Sequence, residues 1–143
     1  MLRRLSGGTS MPKISHLFFR AGILFLITGI GLGLAMSISQ NHDVIGAHAH
    51  INLLGWVTSA IFGGYYALNP AKAEGRLPQI HFWVYTAGVA MMSVALYLLL
   101  KGNTGVEAFV AIGSLLTAAG VLIGAYVFFT PAPNAATRMQ PAE

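Results

Sequence analysis

Apolar residues run almost unbroken through four stretches of this chain, 16–38, 44–68, 80–100 and 107–129, and polar residues gather between and beyond them. Each stretch approaches the ~20 residues with which one helix crosses a bilayer. No intervening segment is long enough to fold around a core of its own. The pattern predicts an all-α membrane protein with four transmembrane helices spanning 16–129, a basic N-terminal arm at 1–15 and a flexible C-terminal tail at 130–143. Arg3, Arg4 and Lys13 precede the first stretch as in a secretory signal. The stretch is nevertheless longer than a signal's ~7–15-residue apolar core and lacks a convincing cleavage site, so it is expected to be retained. Between the second and third stretches, Pro70 and Pro78 bracket a turn that stops one helix and starts the next.

Composition agrees with this pattern. The 143 residues are 55% hydrophobic and 8% charged, whereas a soluble domain carries about 25% charged residues. The net charge of +4 is spread over tails and loops and forms no patch suited to nucleic acid. Arg3, Arg4, Lys13, Lys72, Arg76 and Arg138 fall on one side of the predicted spans, and only Lys101 stands on the other. The excess of Lys and Arg on cytoplasmic loops then places both termini in the cytoplasm of a bacterial-type inner membrane. There is no cysteine, which removes disulfides, thiolate ligands and covalent haem attachment.

His48 and His50 break the pattern. They lie inside the second apolar stretch, in the run from Gly46 to Trp56, where an unpartnered imidazole costs about 2–7 kcal/mol. Ionisable groups at such depth mark a functional site by default. Residues two apart on an α-helix are separated by ~200°, so the two rings point to opposite faces and cannot grip one ion together. With the termini inside, they lie ~8–10 Å below the outer face. The small residues around them, including Gly46 and Gly55, leave room for a flat group, and Asn52 stands one turn from His48 on the same face. These residues predict a haem site ligated by His48 and His50, with Asn52 and Gly55 lining it. The alternative is a pair of core histidines bonded to neighbouring helices.

The remaining histidines suit other work. His81, beside Phe82 and Trp83, is expected in an interfacial aromatic belt at the cytoplasmic boundary. His16 and Arg20 are expected to snorkel on that same side, and His42 to lie in the outer loop. Tyr65, Tyr66, Trp56 and the scattered methionines read as packing. Gly29/Gly33 and Gly120/Gly124 are GxxxG pairs, read as close helix contacts within the chain. No second intramembrane histidine stands at the depth of the pair, so a bis-histidine haem needs a ligand from outside the chain. In a two-fold dimer His48 meets its own mate and leaves His50 alone. In a ring, His48 of one subunit faces His50 of the next.

The residues of this region resemble the tenth helix and following segment of the catalytic subunit of haem–copper oxidases, above all the C-type cytochrome oxidases and nitric oxide reductases. The resemblance rests on His48 and His50, Leu54-Gly55-Trp56, Phe62-Gly63, Tyr66, Pro70 and His81-Phe82-Trp83. It covers 46–88, less than a third of the 143 residues. It implies that His48 faces a high-spin haem and His50 a low-spin haem on opposite sides of the helix. The family's subunit has twelve or more helices, a second set of histidines and a cross-linkable His–Tyr pair, none of which is evident here. Its core is roughly threefold, which suggests a ring-like homotrimer of about twelve helices. The function expected is a b-type haem protein for electron transfer, served by an electron donor or oxidase partner. The alternatives are an oxidase-like enzyme reducing oxygen or nitric oxide, a copper- or haem-handling assembly protein, and a membrane subunit with no cofactor.

Overall fold

The computed structural model describes residues 10–132, and the arm and tail expected to be flexible lie mostly outside them. All regular structure among the described residues is helical. The first helix, α1, spans Lys13–Ser39 and ends at Gln40, whose left-handed φ of 55° closes it. The second apolar stretch is a continuous helical segment in three parts. They are α2 (Ile45–His50), a π-helical segment (Ile51–Thr58) and α3 (Ser59–Leu68). A 3-10 turn at Pro70–Lys72 leads to α4 (Leu77–Leu100), and a second at Thr104–Val106 leads to α5 (Glu107–Phe129). Helices α1 and α4 begin three residues earlier than the apolar pattern suggests, because Pro12 and Pro78 sit at helix starts whose polar first turns hydropathy does not register.

Three helical segments, Lys13–Ser39, Leu77–Leu100 and Thr104–Phe129, are long and apolar enough to cross a membrane. Their large apolar side chains point outward: Leu24, Leu34, Ile38, Leu115 and Leu122 are all more than half exposed. That is the build of a membrane protein. The second stretch carries the same apolar character, but its π segment divides it into pieces that are individually short.

Small residues hold the helices together. In the α4–α5 hairpin a Cβ on Gly120 would lie 2.6 Å from the Tyr85 Cα, one on Gly113 2.5 Å from the Met92 backbone, and one on Gly88 2.5 Å from the Thr117 backbone. Helix α1 runs antiparallel to the second stretch in the same way, with Gly22 against Trp56, Gly29 against Asn52 and Gly33 against His48. Both GxxxG pairs therefore lie at contacts within the chain, as expected. In lipid, where apolar burial gives little drive, such close approach supplies the packing.

The densest core lies at one end of the bundle. Phe18, Phe62, Tyr66, Phe82, Tyr85 and Val127 are buried together, with contributions from all four predicted spans. Phe18 makes an edge-to-face contact with Phe82 at 5.1 Å, and Phe62 does so with Tyr85 at 5.2 Å. Lys72 seals this end. Its ammonium donates to the carbonyls of Val127 (2.7 Å) and Phe128 (3.0 Å) and to the Tyr65 hydroxyl (2.7 Å), which caps the C-terminus of α5.

Candidate functional site

His48 and His50 occupy the last turn of α2, just before the π segment. Both are half-buried. His48 turns toward α1, where Gly33 gives its ring room: a Cβ there would stand 2.9 Å from His48 Cε1. Its Nδ1 lies 3.0 Å from the Gly29 carbonyl. His50 folds back on its own helix, with Nδ1 2.7 Å from the Gly46 carbonyl, and Gly46 itself faces Leu100 of α4. The two imidazoles thus sit on different sides of the segment, as a spacing of two requires.

These contacts decide the tautomers. A carbonyl oxygen only accepts, so Nδ1 of each ring carries the proton and donates it. In the neutral imidazole, Nε2 is then left with the lone pair. Asn52 Nδ2 is 3.4 Å from His48 Nδ1 and 2.9 Å from the His48 carbonyl. Two donors cannot bond each other, so the shorter contact is the hydrogen bond and Asn52 holds the backbone of His48. A neutral imidazole fixed through Nδ1–H to a carbonyl is the form in which histidine serves as an Nε2 metal ligand.

Gly55 is placed differently from the sequence expectation. The ring of Phe25 covers it, with Phe25 Cγ 2.5 Å from where a Cβ would stand. The space above Gly55 is therefore filled by α1 and is not open to a flat group within one chain. The described residues contain no group of three or more His, Cys, Asp or Glu able to hold a metal ion.

The π segment gives the site its phase. A helix that returns from i→i−5 to i→i−4 bonding leaves a carbonyl without its amide partner, and such bulges recur at functional sites. Two hydroxyls donate to carbonyls of this segment: Thr58 Oγ1 to Leu53 O at 2.8 Å, and the Tyr85 hydroxyl to Leu54 O at 2.7 Å. Apolar periodicity carries no trace of this, because a bulge adds a residue without changing hydropathy.

His81 is a correction. It is fully buried rather than exposed for snorkelling, and lies between Phe18, Phe62 and Tyr85, with its ring against Gly124. The Tyr66 hydroxyl and the His81 Nδ1 share a hydrogen bond at 2.9 Å, while His81 Nε2 has no partner among the described residues. Tyr66 and His81 are thus joined by a hydrogen bond across the turn bracketed by Pro70 and Pro78. The signal for it was the hairpin itself, which brings the end of α3 beside the start of α4. It stands at the opposite end of the bundle from His48, about 27 Å along the helix axis. His16, Arg20, His42 and Lys101 are exposed, as expected.

Comparison with known protein families, curated proteins and solved structures gives no match to this chain.

Proposed function

We propose that this chain is a membrane b-type haem protein in which His48 and His50 supply iron ligands, and that its work is electron transfer. The observation that carries this reading is the placement of the two imidazoles: each Nδ1 lies within hydrogen-bond distance of a backbone carbonyl inside an apolar segment, an arrangement that turns Nε2 of the neutral ring to ligation. The donor set suits haem better than a bare ion. A porphyrin supplies four nitrogens itself and asks one or two axial ligands of the protein. Structural zinc asks four protein ligands and catalytic zinc three, a number not found together among the described residues. A haem would supply one-electron chemistry. The protein's part is to hold each imidazole in its ligating tautomer through Gly29 O and Gly46 O, to steady His48 through Asn52, and to exclude water with apolar side chains.

Because the two rings diverge, each haem lies between copies, His48 of one subunit facing His50 of the next. The assembly is a ring-like homotrimer of about twelve helices in a bacterial-type inner membrane, with the second stretch as its fourth span and both termini in the cytoplasm. The local resemblance to the haem–copper oxidase catalytic subunit and the distribution of Lys and Arg support this arrangement.

The test is a reduced-minus-oxidised absorption spectrum of the detergent-purified protein, with His48→Ala and His50→Ala alongside. Sharp α and Soret bands, lost in either variant, are expected, together with a trimer mass under native conditions. A featureless spectrum from protein expressed with haem supplied removes the reading. Carbon monoxide binding by the reduced protein would move it from electron carrier to oxygen- or nitric-oxide-reducing enzyme, since bis-histidine iron has no open position.

A further inference from the structure

An open crevice runs between α1 and α4, with Ile51 of the π segment as its floor. It has a volume of about 650 Å³ and apolar walls that include Phe25, Leu32, Ala90 and Val94. Leu32 and Tyr97 also line a smaller cleft, of about 70 Å³, which continues the crevice to Ser39, Asn41 and Lys101 at the end of the helices. Character therefore changes in order along α4: a cation at Lys101, a hydroxyl one turn down at Tyr97, and apolar surface at Val94 and Ala90, a descent of about 16 Å. A phospholipid has the same order, with phosphate, then ester carbonyl, then acyl chain.

Charge singles out the head group. Lys101 is exposed, and no other Lys or Arg occurs between 77 and 137. The acidic group nearest in sequence to the cleft's Asn41 and Val44, Asp43, already accepts from Asn41 Nδ2 at 2.9 Å. Glu107 begins α5, which lines neither cavity.

We propose that this crevice holds one anionic diacyl phospholipid, its phosphate at Lys101, an ester carbonyl accepting from the Tyr97 hydroxyl, and one acyl chain lying over Ile51 between α1 and α4. This requires only that the chain span a membrane and is independent of the haem reading.

The experiment is native mass spectrometry of the full-length protein titrated with phosphatidylglycerol or phosphatidylcholine after delipidation. One phosphatidylglycerol per chain, bound in preference to phosphatidylcholine, is expected. Lys101→Gln should weaken it about fivefold, the share of one cation near a membrane surface. Ala90→Trp should abolish it by filling the crevice, and because Ala90 is exposed the core is undisturbed. Equal retention of the two lipids, or no effect of Lys101→Gln, overturns the proposal. So does an Ala90→Trp protein that keeps its lipid but loses its oligomeric state, which would make the crevice a contact between copies.

Discussion

Tyr85→Phe removes one oxygen atom and tests why the second stretch changes helical type below the histidine pair. The Tyr85 ring is fully buried, packed edge-to-face on Phe62 and against Gly120, and phenylalanine keeps those contacts. What is lost is the 2.7 Å hydrogen bond to Leu54 O. A net protein hydrogen bond is worth about 0.5–1.5 kcal/mol, and a buried acceptor left bare costs about 1–3 kcal/mol. Within membranes, measured side-chain hydrogen bonds average ~0.6 and reach ~1.7 kcal/mol. The expected loss is therefore about 1–2 kcal/mol, concentrated in the π segment, which makes its amides exchange about 5- to 30-fold faster.

The assay is hydrogen–deuterium exchange of 51–59 in detergent, beside Tyr66→Phe as control. Tyr66 belongs to the same aromatic core and also loses a buried hydrogen bond, of 2.9 Å, but to His81 and not to the π segment. Tyr85→Phe should loosen 51–59 and Tyr66→Phe should not. If both variants exchange alike in this segment, or Tyr85→Phe leaves it unchanged, the hydroxyl does not hold the bulge and the reasoning fails. In the haem-loaded protein the same contrast should appear in the spectrum. Relaxing the bulge to α-helix turns α2 relative to α3 by about 100°, whereas the Tyr66–His81 pair lies too far away to matter.

Three further outcomes follow from the helix contacts. Gly120→Ala places a methyl 2.6 Å from the Tyr85 Cα, so α4 and α5 must separate, and thermal unfolding should show a loss of about 1–3 kcal/mol. Gly31→Ala, with nothing within 4 Å of its Cβ, should be neutral or stabilising by up to about 1 kcal/mol. Lys72→Met removes two hydrogen bonds to the last carbonyls of α5 and one to the Tyr65 hydroxyl, and should cost about 1–2 kcal/mol. It should also accelerate exchange at 126–130, and unaltered exchange there would show that the cap contributes nothing.

Much of the fold was legible in the sequence because a membrane helix is specified by a long apolar run and by little else. The runs located three membrane-length helices and the segment that became α2, the π segment and α3. The glycine spacings located the helix contacts, since the absence of a side chain is itself the packing instruction. Interactions that depend on three-dimensional phase were not legible. His81 stands two residues before Trp83, which is 65% exposed, so the run looks interfacial, yet a rotation of ~200° around the helix puts His81 at 0% exposure. Gly55 reads as open space only until the antiparallel register lays Phe25 across it.

The histidine pair combines both cases, and this explains the division of labour along the bundle. Spacing alone requires divergent rings. Only the structure shows that both are nonetheless fixed by the same device, an Nδ1–H held by a glycine carbonyl. On α1 the missing side chains make the approach possible: a Cβ on Gly33 would stand 2.9 Å from His48 Cε1, and one on Gly29 2.5 Å from Asn52 Nδ2. The aromatic core, with its interlocked rings and the Lys72 cap, lies at the other end, near His81. The histidine end is held to α1 through Gly29 O, and the π segment below it is held by Tyr85, the one residue of that core cluster whose hydroxyl contacts the segment's backbone. A substitution in the aromatic core should therefore reach the π segment's hydrogen bonding most directly when it changes Tyr85.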